Sequence, residues 1–169
     1  GAISEYDVII IRSATKLDSE VLTANTSRKS RIRLIVRAGV GLDNIDLEKA
    51  SELGILVKNT PTASTKAVVE FTIGHLLTGV RNISKADRAM RSSEWAKKSS
   101  RGTELSGKNL GLVGYGRISK GVAEIARLLG MNVHVFDPFL DEDSIENSDV
   151  VIHDSVKSLF SSCTHISIH

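Results

Sequence analysis

Apolar positions along this 169-residue chain follow two rhythms, short β-branched runs and longer segments at helical spacing. Residues 7–11 (DVIII), 33–36 and 55–58 read as three strands, and the unbroken first run predicts a strand buried on both faces. Residues 15–23 and 46–53 read as helices between them, the second with acids in its first turn and Gly54 as its stop. Asn59, Thr60 and Pro61 break the pattern. A longer helix then runs from a cap at Ser64 or Thr65 to about Arg81. Val69, Ile73, Leu76 and Val80 mark one side of it, and Val68, Phe71 and Leu77 widen the apolar surface, which predicts a buried helix with room for a place between two domains. Residues 84–91 read as another helix and 92–107 as a polar stretch.

A second β–α–β unit follows. Residues 109–113 are a strand, Gly114, Tyr115 and Gly116 a tight turn, and 117–129 a helix. Ile118, Val122, Ile125 and Leu129 share one face of that helix, Lys120 and Glu124 form an i, i+4 pair on another, and Gly130 stops it. Strands at 133–136 and 150–152, a helix at 155–161 and a strand at 165–168 complete the pattern. Strands alternating with helices predict an α/β fold with a doubly wound parallel sheet. The division falls near Pro61, into residues 1–60 and 61–169.

The segment GLVGYGRISKGVA (111–123) places its glycines between a strand and a helix, the context of a dinucleotide-binding turn. Gly114 permits the turn, Gly116 lets backbone approach a pyrophosphate, and the helix N-terminus offers its N–H groups to that anion. Ser119 stands at the third glycine position, where close packing predicts modest strain. Asp137 ends the next strand, where a carboxylate hydrogen-bonds ribose hydroxyls and repels a 2′-phosphate, which points to NAD.

Composition narrows the picture by exclusion. Hydrophobic residues at 41% and charged residues at 25% rule out a disordered chain. A net charge of +2 gives no ground for nucleic-acid or membrane binding. Arg28, Lys29, Arg31, Arg33 and Arg37 lack interleaved aromatics and read as a solvated face. The single cysteine, Cys163, excludes a disulfide framework and reads as a small core residue. No apolar run approaches a membrane span, and the first ten residues lack the pattern of a signal peptide. His165 and His169 are too far apart on a strand to share a metal, adjacent His153 and Asp154 point apart, and His75 reads as a core histidine. No metal site and no catalytic residue is assigned.

Five segments carry a resemblance over nearly the whole chain: IIIRSATK (9–16), VRAGVGLDNIDLEKA (36–50), NTPTASTKAVVEFTIG (59–74), GTELSGKNLGLVGYGRI (102–118) and GMNVHVFDP (130–138). Together they resemble the D-isomer-specific 2-hydroxyacid dehydrogenases, with RSATK and AGVGLDNID closest to the branch that oxidises 3-phospho-D-glycerate in serine biosynthesis. The resemblance implies a Rossmann-type NAD domain, part of a flavodoxin-like substrate domain, a cytoplasmic homo-oligomer, and a small, phosphorylated 2-hydroxy acid as substrate. Other D-2-hydroxyacid dehydrogenases, acting on glyoxylate, hydroxypyruvate or D-lactate, share the same features, and an NAD-sensing corepressor scaffold is a remoter alternative. It further implies that the catalytic arginine, glutamate and histidine lie beyond residue 169, so that these residues alone are an inactive fragment.

On the same basis, Arg12 and Ser13 stand near the substrate, where an arginine suits a phosphate or carboxylate. The backbone of Gly39, Val40 and Gly41 holds the substrate carboxylate, with Val40 also on the nicotinamide side. Asn59 lines the cleft or forms a turn before Pro61, and Lys97 reaches a substrate phosphate or is a surface lysine. Gly114, Tyr115, Gly116, Arg117, Ile118, Asp137 and His169 are the remaining cofactor positions, Arg117 toward the pyrophosphate and Ile118 through its backbone N–H. Asn44 and Asp46 are expected to cap the helix that follows them.

Overall fold

The computed structural model describes residues 5–25, 31–140 and 150–169, which form two compact units, Gly1–Ser64 and Thr65–His169. Arg28 and Lys29 lie outside the described residues.

The first unit is a parallel three-stranded sheet of β1 (Val8–Ile11), β2 (Leu34–Arg37) and β3 (Leu56–Asn59), with helices α1 (Ser19–Asn25) and α2 (Leu47–Glu52) in the crossovers. Ile9, Ile11, Ile35 and Val57 point to the face where Leu22 of α1 and Ala50 of α2 pack. The opposite face carries Val8, Ile10 and Leu56, with Ile10 71% exposed. The expectation that β1 is buried on both sides is therefore corrected: both helices of this unit cover one face, and a β-branched run does not reveal how many faces are covered. The first helix also starts later than the pattern predicts. Leu17 is drawn into a bridge with Ile45, and Asp18 Oδ1 accepts from Val21 N at 2.9 Å, so the helix begins at Ser19. Asp46 caps α2 as expected by accepting from Lys49 N, and Gly54 takes φ +68° just after its end.

The second unit begins with α3 (Thr65–Val80) and α4 (Ile83–Arg91). It continues through β4 (Asn109–Val113), α5 (Arg117–Leu128), β5 (Asn132–Phe136), β6 (Val150–Ile152), α6 (Val156–Ser162) and β7 (His165–Ile168). The four strands are parallel in the order β6-β5-β4-β7, a doubly wound arrangement that reverses beside β4. Leu110, Leu112, Val133 and Val135 face α5 and α3. Gly111 faces the other way, where a Cβ would meet Ile166, Cys163 and Leu159, the last two in and just after α6. Gly121 brings α5 against α3, since a Cβ there would lie 2.8 Å from Val69.

Several expectations change here. Only Val69 and Ile73 of α3 are buried; Phe71 is 68% exposed and meets the exposed ring of His75 edge-on at 4.3 Å, so His75 is not a core histidine. The buried stripe of α5 is Ser119, Val122, Ala123 and Ala126, with Ile118, Ile125 and Leu129 at its edges, because close packing on the sheet selects the small residues. Lys120 places its ammonium 5.6 Å from the Tyr115 ring instead of pairing with Glu124. Cys163 is half-buried, and burial raises its thiol pKa.

Candidate functional site

Two groups of the expected residues gather, one in each unit, at the C-terminal ends of parallel strands, where ligands bind in open α/β sheets.

In the first unit, Ile11 and Arg37 are register partners at the ends of β1 and β2, and Ala38 N donates to Ile11 O at 2.8 Å. Arg12 and Ser13 therefore leave the sheet beside the Gly39–Gly41 turn. Both are exposed, as is Val40. Asn59 ends β3 and donates from Nδ2 to Val40 O at 2.6 Å, while Thr60 N donates to Gly39 O at 3.0 Å. Asn59 thus fixes the glycine turn from the third strand. Gly39 has φ +151°, and a Cβ there would fall on the Arg37 guanidinium. Arg37 is half-buried, with Nε enclosed and without a hydrogen-bond partner among the described residues. The solvated-face reading fails for it, because it is the last inward position of a sheet strand. Arg31 and Arg33 of the same cluster are exposed and share the Asp7 carboxylate at 2.7 and 3.1 Å, which holds that carboxyl below its usual range.

Asn44 corrects another expectation. It does not cap α2; it is 8% exposed and donates from Nδ2 to Thr15 O at 2.7 Å and Arg12 O at 3.2 Å. Lys97 belongs to the second unit, exposed on the turns after α4, whereas the other six substrate-side candidates belong to the first.

In the second unit, Gly114 takes φ +86° at the end of β4, and its N–H donates to Phe136 O at 2.8 Å. A Cβ at Gly114 would lie 2.6 Å from His169 O, so β7 and the turn approach closely enough to exclude a side chain. His169 N donates to Val113 O at 2.9 Å, and burial lowers the pKa of its ring. Gly116 is the N-cap of α5, makes no side-chain cap, and has open space where a Cβ would stand. Gly116 thus leaves the start of α5 without a side-chain cap, at the end of a helix that favours an anion. Arg117 is exposed beside them, and Ile118 is half-buried against the core. Asp137 accepts from Tyr115 N at 2.8 Å and Phe139 N at 2.9 Å, and these two donors, Tyr115 first, hold its carboxyl below the usual range. The carboxylate expected to face a ribose also ties the glycine turn to the end of β5. Ser119 is fully buried, with its hydroxyl unpartnered among the described residues.

The places of Arg37 and Asn44 and the pairing of two histidines escaped the sequence reading. The signal for Arg37 was a charged residue ending an apolar strand directly before a glycine turn. For Asn44 and the histidines the partners are 29 and 19 residues away, beyond any local pattern. His134 Nδ1 meets His153 Nε2 at 2.9 Å, and His153 Nδ1 meets Ser158 Oγ at 2.8 Å. Among the described residues no three His, Cys, Asp or Glu gather to hold a metal, and no helix is long and apolar enough to cross a membrane.

Parallel strands, helices α5 and α6 in the β4–β5 and β6–β7 crossovers of the second unit, and a glycine turn at its switch point define a Rossmann-type α/β protein. Residues 1–167 match the family model of the D-isomer specific 2-hydroxyacid dehydrogenase catalytic domain. The chain belongs to that family of oxidoreductases. It is 38% identical over 99% of its length to a D-3-phosphoglycerate dehydrogenase of Methanocaldococcus jannaschii, and 40% identical over 99% to a hydroxypyruvate reductase of Thermotoga maritima. It spans 31% and 52% of those two relatives. Among solved structures it resembles the apo D-lactate dehydrogenase of Escherichia coli, with a TM-score of 0.83 and 28% identity over 96% of this chain and 50% of that one.

Proposed function

We propose that the second unit binds NAD and that the first supplies part of the substrate site of a dehydrogenase acting on 3-phospho-D-glycerate. Two arginines at adjacent strand ends, Arg12 and Arg37, beside the Gly39–Gly41 backbone, carry the substrate reading. A phosphorylated acid brings two anionic groups, one for guanidinium groups and one for backbone N–H groups. The D-3-phosphoglycerate dehydrogenases among the relatives support it.

The cofactor reading rests on the uncapped start of α5, the open space at Gly116 and the ionised Asp137. Gly114, Tyr115, Gly116, Arg117 and Ile118 would take the pyrophosphate, Asp137 the ribose hydroxyls, and Val40 and His169 the remaining cofactor contacts. When bound, NAD supplies the hydride acceptor. The residues of this chain bind and orient, and none of them is assigned the proton transfer. Turnover by residues 1–169 alone would overturn that division of labour.

A hydroxypyruvate reductase is the second reading, favoured by the Thermotoga maritima relative. NADH formation by the protein that carries this chain, with 3-phospho-D-glycerate, D-glycerate and D-lactate in parallel, separates the two. A ~100-fold preference for the phosphorylated acid, about 2.7 kcal/mol, is expected. Equal rates with an unphosphorylated acid would replace the first reading by the second. The expectations of a cytoplasmic homo-oligomer belong to the same proposal.

A further inference from the structure

Asn44 stands out as a buried side chain with an unbalanced set of partners. Its Nδ2 reaches both Arg12 O and Thr15 O, while its Oδ1 is enclosed with no partner among the described residues. A buried acceptor left unpaired is unfavourable, so such an atom calls for an explanation. The chemistry of the donor set supplies one. Two backbone carbonyls must be met by two N–H donors on a single atom at short reach. Ser and Thr offer one donor each, whereas a carboxamide offers two and carries its oxygen along.

The held carbonyls belong to the first and last residues of the loop that presents Arg12 and Ser13. Thr15 N closes that loop on Arg12 O at 3.2 Å, and Leu17 N and Asp46 N exchange hydrogen bonds with Asn44 O and Leu17 O at 2.9 Å each. The loop is thereby fastened to the segment that leads into α2. We propose that Asn44 is a positioning residue that sets the Arg12 side chain for the substrate phosphate. The inference rests on the phosphoglycerate reading above.

Two substitutions test it in the protein that carries this chain, with phosphorylated and unphosphorylated 2-hydroxy acids compared. Asn44→Ala removes both donors. Asn44→Asp keeps the shape but turns a carboxylate toward two carbonyl oxygens, and regains one donor only when protonated. The expected result is a KM for the phosphorylated acid raised ~10-fold or more, with kcat and the KM for the unphosphorylated acid little changed. Asn44→Asp should recover toward low pH while Asn44→Ala does not. An equal loss with both acids, or an unchanged phosphate preference, overturns the assignment. If the unsubstituted protein shows no phosphate preference, the substrate reading falls by itself. The clamp is then judged by amide hydrogen exchange at Thr15 and Leu17, which Asn44→Asp must accelerate; unchanged exchange overturns it.

Discussion

The two glycine turns, Gly39–Gly41 and Gly114–Gly116, follow central strands of parallel sheets, yet their surroundings carry opposite charge. The first has the Arg37 guanidinium packed against Gly39 and Arg12 at the neighbouring strand end. The second has the Asp137 carboxylate bound to the N–H of Tyr115. Backbone N–H groups favour anions in both places, so the nearby side chain sets what else the turn accepts. A cation adds attraction for a second anionic group. A carboxylate accepts hydroxyl hydrogens and repels further phosphate. On the proposed reading, a glycine turn at a strand end would thus take a small phosphorylated acid in one unit and an unphosphorylated ribose in the other.

The largest effect is expected at Gly114. Alanine there must hold φ +86° with a Cβ 2.6 Å from a backbone oxygen, a strain of about 1–3 kcal/mol before any clash is relieved. Gly114→Ala should lower the urea midpoint of unfolding and abolish measurable NAD binding. Retained stability and cofactor affinity would mean that the turn is not a tight device. Gly116→Ala serves as the contrast, since open space awaits its Cβ; its loss should appear in NAD affinity and not in stability.

Arg37→Met comes next. It keeps the packing against Gly39 and deletes the charge. Losing a charge-assisted contact of about 1.5–3 kcal/mol predicts a ~10–100-fold lower kcat/KM with the phosphorylated acid. If the same loss is found with D-lactate, Arg37 supports the turn and not the phosphate. Asp137→Asn tests the opposite sign in the second unit. The ratio of NAD to NADPH affinity should fall ~10-fold, as the repulsion of a 2′-phosphate disappears; an unchanged ratio would remove Asp137 from the ribose site.

The smallest effect is a slope with pH. Burial, and then the neighbouring His153, lower the pKa of His134 from its ordinary 6.5. The unfolded chain therefore binds the proton more readily than the folded one, so stability is full above pH 6.5 and declines as pH falls below it. With both rings protonated, the 2.9 Å contact would set two N–H groups against each other. Thermal unfolding followed from pH 8 to 5 should show a shallower decline in His134→Gln than in the unsubstituted protein. Parallel curves would show that this pair does not govern the acid limb.

Much of this molecule was legible from its residues because the deciding interactions are local. Strand β4, the turn at Gly114 and the start of α5 follow from a β-run, two glycines and an amphipathic segment within a few residues of one another. Gly54 and Gly130 end helices for a reason carried by each residue alone, a positive φ. Family membership was legible in the same way, through the order of short motifs along the chain. Tertiary structure decided what depends on partners distant in sequence. Which face of β1 is covered depends on where α1 and α2 lie, so a β-branched run promised more burial than it receives. Arg37 became a half-buried cation with an enclosed Nε, and not part of a solvated patch, because strand alternation turned it inward beside Gly39. Asn44 holds Arg12 and Thr15 across a turn of the chain, and a helix cap was the only local role open to it in the sequence. Local propensity fixes the elements, whereas burial and the pairing of polar groups are fixed only when remote segments pack against them.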